Sequence, residues 1–305
     1  MAVPVAFLPH RFHSAAPHYL AGRPPYPPRL IARVAALTGL PGSPALQTAG
    51  VQTGVVQAGA VQAGGVQSED LQRTRRLQGS GARSGRVLDL GCGPGQLALA
   101  FAPFAADVLA VDPEPEMLRL ARQAADGAPI RFLQASSYDL GPAFGRFHLA
   151  VMGRSFHWME RAETLRRLDA MIEPGGAVVL FGDTHPELPD NAWRAPWREV
   201  LERYRDPAGE RPQRGADRIP HEAFLLDSAF CRLDRVAAID RRRIPVATLV
   251  ERVLSQSGSS PARLGARVEA LSEEVVRALE PFTKGGIVTE VVETDALIAT
   301  REEAA

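Results

Sequence analysis

Lysine is almost missing from this chain. Of its 35 basic residues all but Lys284 are arginine, and 35 acidic residues cancel their charge. Without a net charge there is none of the basic footprint usual in nucleic-acid binders, so no nucleic-acid partner is expected. The arginine bias, alongside abundant Ala, Gly and Pro, reads as the mark of a GC-rich genome and carries no functional weight. Cysteine is nearly as scarce. Cys92 and Cys231 alone cannot build a disulfide framework or a zinc site, which points to a reducing compartment. No apolar run reaches the ~18 residues a membrane span needs. The N-terminus, MAVPVAFLPHRFH, is too short in its apolar part and too rich in Pro and His for a secretory signal. A cytoplasmic protein with no membrane partner is the expectation.

What is present is a chain of 305 residues, 45% hydrophobic, long enough for one substantial core with an added subdomain. Between residues 43 and 85 the composition shifts. Six five-residue units in succession, LQTAG, VQTGV, VQAGA, VQAGG, VQSED and LQRTR, each open with Val or Leu and then Gln. Gln, Gly and Ala offer little side chain to fill a solenoid interior, so the segment reads as a solvated, disordered insert. It separates an N-terminal strap and helix (1–42), in which Leu30, Ile31, Val34 and Leu37 recur at helical spacing before Gly39, from the rest.

Past the insert, β and α patterns alternate. Strands are expected at 86–90, 107–111, 130–133, 147–152 and 177–181, and helices at 96–104, 114–125 and 162–171. Such alternation implies right-handed crossovers and a parallel sheet covered on both faces, with ligands at the carboxyl ends of the strands. Residues 86–183 form this core. In 184–305 the alternation gives way to helical patterns at 192–204, 221–230, 248–255 and 262–279, which could cap the site. Two extended segments, 232–244 and 287–300, read as a final antiparallel pair.

The first strand runs into a glycine loop, VLDLGCGPG. Gly91, Gly93 and Gly95 alternate, whereas the dinucleotide fingerprint spaces its last two glycines three apart and holds a pyrophosphate at a helix N-terminus. Pro94 removes one backbone N–H from the turn and weakens it as a phosphate cradle. The next strand ends at Asp112, 17 residues past Gly95, where a carboxylate can accept both hydroxyls of a ribose. Capping of the following helix is the plainer role for the same carboxylate.

VLDLGCGPG and VDPEPEML together resemble the first two motifs of the class I S-adenosylmethionine-dependent methyltransferases. The resemblance implies a Rossmann-like, doubly wound α/β fold with a mostly parallel seven-stranded sheet, helices on both faces and a helical cap. It implies that Asp89 and the loop Gly91-Cys92-Gly93 face the methionine part of S-adenosyl-L-methionine, that Asp112 holds the ribose, and that Pro113 and Met117 pack near the adenine. Where the family often carries Gly-Asp-Ala-Glu-Asp-Leu after strand 3, this chain reads Ala135-Ser136-Ser137-Tyr138-Asp139-Leu140. Ser136, with Ser137 beside it, stands where an acid bonds the adenine amine.

Strand 4 ends in Gly153-Arg154-Ser155-Phe156-His157-Trp158-Met159. This resembles a subgroup with Ser-Phe-His-Trp-Met here and an N-terminal Tyr…Gly-Arg-Pro-x-Tyr-Pro, matched by Tyr19, Gly22, Arg23, Pro24, Tyr26 and Pro27. Trans-aconitate methyltransferases look like more distant relatives. Gly153 then lies beside the cofactor, and Tyr19 and Arg23 could reach its carboxylate, a task suited to guanidinium. Methyl transfer from a sulfonium is an in-line displacement that needs alignment above all. A phenol, amine or thiol acceptor benefits from a base, and a carboxylate needs none. His157 is the candidate base, or with Trp158 part of the substrate-pocket wall. His10, His13 and His18 sit among prolines without accompanying ligands, so no metal is expected. The expectation is therefore an enzyme, monomeric or homodimeric, methylating a small-molecule acceptor. A non-catalytic binder of the cofactor or of S-adenosylhomocysteine is the alternative, and a nicotinamide oxidoreductase is disfavoured by the glycine spacing.

Overall fold

The computed structural model describes residues 10–40, 84–204 and 219–302. Nearly all of the Val-Gln insert lies outside the described residues. Seven strands form one sheet: β1 (Arg86–Leu90), β2 (Asp107–Asp112), β3 (Ile130–Gln134), β4 (Phe147–Gly153), β5 (Ile172–Thr184), β6 (Arg232–Pro245) and β7 (Ile287–Thr300). Their spatial order is β3-β2-β1-β4-β5-β7-β6. The first five run parallel, and β7 lies antiparallel between β5 and β6. This is the doubly wound, mostly parallel α/β sheet expected from the sequence, closed by the expected antiparallel pair.

β1 is buried at every position, as a central strand covered on both faces requires. Its side chains alternate between two cores. Val87 joins Val108, Ala110, Leu149 and Val151 on one face, under α2 (Pro28–Leu37) and α3 (Gln96–Phe101). Leu88 and Leu90 join Leu109, Ala150 and Met152 on the other, under α5 (Arg161–Met171). α4 (Pro115–Ala125) follows β2, opened by the Glu114 carboxylate accepting from the Glu116 N–H.

Three local features depart from the sequence expectation. A short helix, α1 (Ala16–Gly22), forms inside the proline-rich strap, where Pro17 sits in the first turn and loses no bond there. The helix expected over 221–230 stops as α7 (His221–Leu226), because the Ser228 hydroxyl donates to the Leu225 carbonyl and accepts from the Phe230 N–H. The helix expected over 262–279 is broken at Gly265, φ +56°, into α9 (Pro261–Leu264) and α10 (Val268–Leu279).

A third apolar cluster joins Trp193, Trp197 and Val200 of α6 (Arg194–Tyr204) and its approach to Leu249 and Val253 of α8 (Val246–Leu254) and to Leu271, Val275 and Leu279 of α10. Trp193 Nε1 donates to the Thr289 carbonyl at 2.8 Å, tying this layer to β7. α8 in turn holds α1. Arg252 Nε donates to the Gly22 carbonyl at 2.9 Å, and His18 Nδ1 lies 2.7 Å from Glu251 Oε2. A Cβ on Gly22 would fall 2.5 Å from the Arg252 backbone nitrogen, so only glycine allows this approach. The helical layer thus fixes the strap that reaches the strand ends.

Candidate active site

One cavity opens at the carboxyl ends of β1, β2, β3 and β4, enclosing about 880 Å³ of open space, the part facing solvent included. Leu90, Gly91 and Gly93 come from the glycine loop, Asp112, Pro113, Glu114 and Met117 from the end of β2, and Ala135, Ser136, Ser137 and Tyr138 from the end of β3. Gly153, Arg154, Ser155, Trp158 and Met159 come from β4 and the turn after it, and Arg11, Phe12 and Tyr19 from the strap. The strap closes over the mouth, with Phe12 edge-on to the Trp158 ring at 5.5 Å and Arg11 4.5 Å above it.

The loop is shaped by its own backbone. The N–H groups of Gly91 and Cys92 both donate to the Val111 carbonyl, at 2.8 and 3.0 Å. Each glycine takes positive φ, but for different neighbours. A Cβ on Gly91 would sit 2.6 Å from Ser155 Cβ, one on Gly95 3.2 Å from Ala121 Cβ, and one on Gly93 would meet only Met117 Sδ at 4.0 Å. Gly93 is therefore the position left open to a ligand. Gly91→Ala combines left-handed backbone with the Ser155 clash and is expected to weaken cofactor binding at least about tenfold, measured by calorimetry.

Three carboxylates surround this loop. Asp112 Oδ2 accepts from the Gly93 N–H at 2.8 Å and Oδ1 from the Glu114 N–H at 2.9 Å. Burial raises its pKa to about 6, against the pull of those two N–H groups. Asp89, 1% exposed, lies beneath the loop and accepts from the Ala98 N–H of α3 at 2.9 Å, while its Oδ1 has no partner. Burial pushes it up to about 8, offset by the Ala98 bond and reinforced by Asp112. Glu114 is 2% exposed, with His13 Nδ1 3.2 Å from its Oε1 and His10 Nδ1 3.9 Å from its Oε2. An N–H at the start of α3 is thus already taken by Asp89, and the Asp112 carboxylate holds the Gly93 N–H, so these loop donors are not free for a phosphate. A sulfonium nucleoside fits this donor set. Asp112 can accept from a ribose, and Pro113 and Met117 give an apolar wall for a base.

Of the residues expected from the sequence, Tyr19, Gly91, Gly93, Asp112, Pro113, Met117, Ser136, Ser137, Gly153 and Trp158 line this one cavity. Asp89, Arg23, Cys92 and His157 do not. Asp89 is buried as the cap of α3. The Cys92 thiol is buried against the Gly93 carbonyl at 3.5 Å, and burial pushes its pKa well up. Arg23 lies behind Tyr19, 5.3 Å from its ring, and donates to the Ser255 carbonyl at 3.4 Å. The turn Phe156–Trp158 sends the indole of Trp158 to the cavity and sets the His157 ring 4.7 Å from Trp158 and 6.5 Å from His221. Ser136 is engaged in a capping box, donating its hydroxyl to Asp139 at 2.7 Å and accepting from the Tyr138 N–H at 3.2 Å. The aromatics Trp193, Trp197, Phe224 and Phe230 belong to the cores, not to the cavity. Arg154, Ser155, Met159, Glu114 and the strap residues Arg11 and Phe12 were not expected from the sequence. Arg154 had a signal: it is the one Arg, Lys, Asp or Glu from Phe147 to Met159.

Residues 87–176 match a family model described as a methyltransferase domain. An uncharacterized methyltransferase of Mycobacterium tuberculosis (strain ATCC 25618 / H37Rv) is 30% identical over 130 residues, 43% of this chain and 52% of that protein. The chain thus spans about half the length of the first curated relatives it matches. A malonyl-[acyl-carrier protein] O-methyltransferase of Enterobacter lignolyticus (strain SCF1) is 30% identical over 189 residues, 60% of this chain and 67% of that protein. The YcgJ protein from Bacillus subtilis superimposes with a TM-score of 0.45 at 20% identity, over 78% of this chain and all of that one. With its methyltransferase-domain match and a relative aligned over two thirds of its length, the chain belongs to the class I S-adenosylmethionine-dependent methyltransferases.

Proposed function

We propose that the protein transfers the methyl group of S-adenosyl-L-methionine to a small-molecule acceptor by in-line displacement. The observation that carries this reading is the pair of buried acidic residues, Asp112 and Glu114, that line the cavity beside an open glycine loop. Such a site favours a cationic nucleoside over a phosphorylated one. When bound, the sulfonium supplies an electrophilic methyl carbon. The chain's share is to hold the nucleoside at Asp112, to close the strap through Phe12 and Tyr19, and to exclude water with Leu90, Trp158 and Met159. Both cysteines are free thiols, which suits a cytoplasmic protein, acting as monomer or homodimer. Among the described residues no helix is long and apolar enough to cross a membrane.

His157 enters this reading as support behind the Trp158 wall. His157→Ala is expected to raise the acceptor KM more than it lowers kcat. A collapse of kcat at unchanged KM would make it the base instead. Transfer of label from methyl-tritiated cofactor to a metabolite panel tests the activity itself, and cofactor binding without transfer to any acceptor would favour a non-catalytic binder.

A further inference from the structure

The strap has a fixed root and a lighter tip. From Ser14 onward it is built into the helical layer. The Ser14 hydroxyl accepts from the Ala262 N–H at 3.1 Å, Ala15 and Ala16 are fully buried, and α1 is held on α8 through Gly22 and His18. The backbone bonds of the tip, residues 10–13, are internal to the strap: the His13 N–H donates to the His10 carbonyl, and the Ala15 and Ala16 N–H groups donate to that of Phe12. Side chains join the tip to the sheet at two ends. Toward β4, Phe12 and Arg11 lie on the Trp158 ring. Toward β2, the imidazoles of His13 and His10, 65% and 73% exposed, converge on the one buried carboxylate of Glu114. Arg11, Phe12, Glu114 and Trp158 all line the cavity, so the tip spans its mouth.

The aromatic end does not titrate and the polar end does. An ionised carboxylate can only accept, so each imidazole must carry a proton on Nδ1 to bond Glu114. A neutral imidazole divides its one proton between two nitrogens, whereas a protonated one presents it at both and adds a positive charge. Around this contact stand Asp112 and, on α4, Glu116, which faces His13 and is paired with Arg119 at 2.6 Å. Arg11 lies over Trp158, and α9, packed against the turn His13–Ala15, carries Arg263. With Asp112 and Glu116 adding negative charge beside Glu114, a positive tip is held more firmly than a neutral one.

We propose that residues 10–13 are a latch over the cofactor cavity, shut on Glu114 when His10 and His13 are protonated and released when they are neutral. The identity of the ligand beneath it rests on the methyl-transfer reading; the latch itself rests on the contacts of the strap. Phe12 on Trp158 sets a basal hold at every pH, and the imidazoles add a hold that grows as pH falls. A latch that closes alike over the empty and the loaded cavity slows entry and exit together and leaves affinity unchanged. A residue that grips the cofactor would instead change affinity. The latch therefore governs how fast S-adenosylhomocysteine leaves after transfer, with release faster in mild alkali than near neutrality.

Stopped-flow binding of S-adenosylhomocysteine to the full chain at about pH 6.5 and 8.5 tests this, a range in which Asp112, with its pKa at about 6, stays mostly ionised. Association and dissociation should both be about fivefold slower at the lower pH, with the dissociation constant unchanged within about threefold. The double variant His10→Gln, His13→Gln, altered at two exposed side chains, should exchange ligand rapidly at both pH values. Phe12→Ala should speed both steps and keep their pH dependence. Hydrogen exchange of residues 11–16 in the ligand-free chain, corrected for the intrinsic effect of pH, reads the latch without any ligand: protection should be greater at the lower pH and equal at both in the double variant. Equal protection at the two pH values in the natural chain overturns the latch, as does a pH dependence of binding that survives in the double variant. A change in one rate alone, carried into the dissociation constant, also overturns it and makes the histidines ligand contacts. Absence of S-adenosylhomocysteine binding, with protection changing as expected, would strike the methyl-transfer reading and leave the latch standing.

Discussion

Asp112→Ala is expected to raise the dissociation constant for S-adenosylhomocysteine about a hundredfold. The substitution removes both acceptors offered to a ribose, and two charge-assisted bonds at ~1.5 kcal/mol each correspond to roughly that factor. It also frees the Gly93 and Glu114 N–H groups that now end on the carboxylate. Asp112→Asn keeps the shape but turns an NH2 toward one of those N–H groups, so it should fall between. The pH dependence follows from the same residue. With its pKa raised by burial to about 6, Asp112 takes up a proton as pH falls through that value and loses acceptor strength. Cofactor affinity should therefore drop between pH 7 and pH 5 in the natural protein and stay flatter in Asp112→Asn. Calorimetry at the two pH values checks both points, and an alanine variant within threefold of the natural protein would remove Asp112 from the cofactor site.

Glu290→Gln should cost about 3–5 kcal/mol of stability and lower the melting temperature by on the order of 10 °C. Glu290 is fully buried on β7 and gathers His185, Arg242 and Arg252. Removing its charge leaves buried Arg252 and half-buried Arg242 without the carboxylate they share. Arg252 also carries the Gly22 carbonyl, so the strap loosens with it. Burial would raise the Glu290 pKa, but His185 and the two arginines outweigh it and hold it far below the ordinary value of 4.5. A carboxylate depressed in the folded state stabilises above its unfolded pKa and loses that contribution as pH falls toward the folded one. The gap in melting temperature between the natural protein and the variant should therefore shrink steadily below about pH 4.5. Thermal melts across pH 3 to 7 check this, and a constant gap would assign the loss to packing.

What could be read from the sequence follows from where periodic burial or a short motif carries the information. β1 through β4 and the 177–181 part of β5 have short apolar runs, whereas Pro174, Gly175 and Gly176 hid the start of β5 at Ile172, and the final pair β6–β7 has long extended stretches without Gly or Pro breakers inside. The loop Gly91–Gly95 and Asp112 were legible because backbone geometry forces glycine and an acid into fixed spacing. α1 was not legible, since seven residues holding Pro17 and Gly22 carry no amphipathic stripe; contacts with α8, over two hundred residues away, hold it. His157 and Trp158 are adjacent in sequence and their rings lie 4.7 Å apart, yet only Trp158 lines the cavity. Asp89 and Asp112 look equivalent as acids at strand ends. Only depth separates the first, buried as a helix cap, from the second, which reaches the cavity. Arg154 depends on Pro24 and Asp183, both remote in sequence, so its place at the cavity emerges only when the chain is folded.

The central claim is that the cavity takes a sulfonium nucleoside and not a phosphorylated dinucleotide. Calorimetric titration of the purified chain with S-adenosyl-L-methionine, S-adenosylhomocysteine and NAD tests it most directly. One equivalent each of the first two should bind, with no measurable heat from NAD. Binding of NAD with no uptake of either S-adenosyl compound would contradict the account.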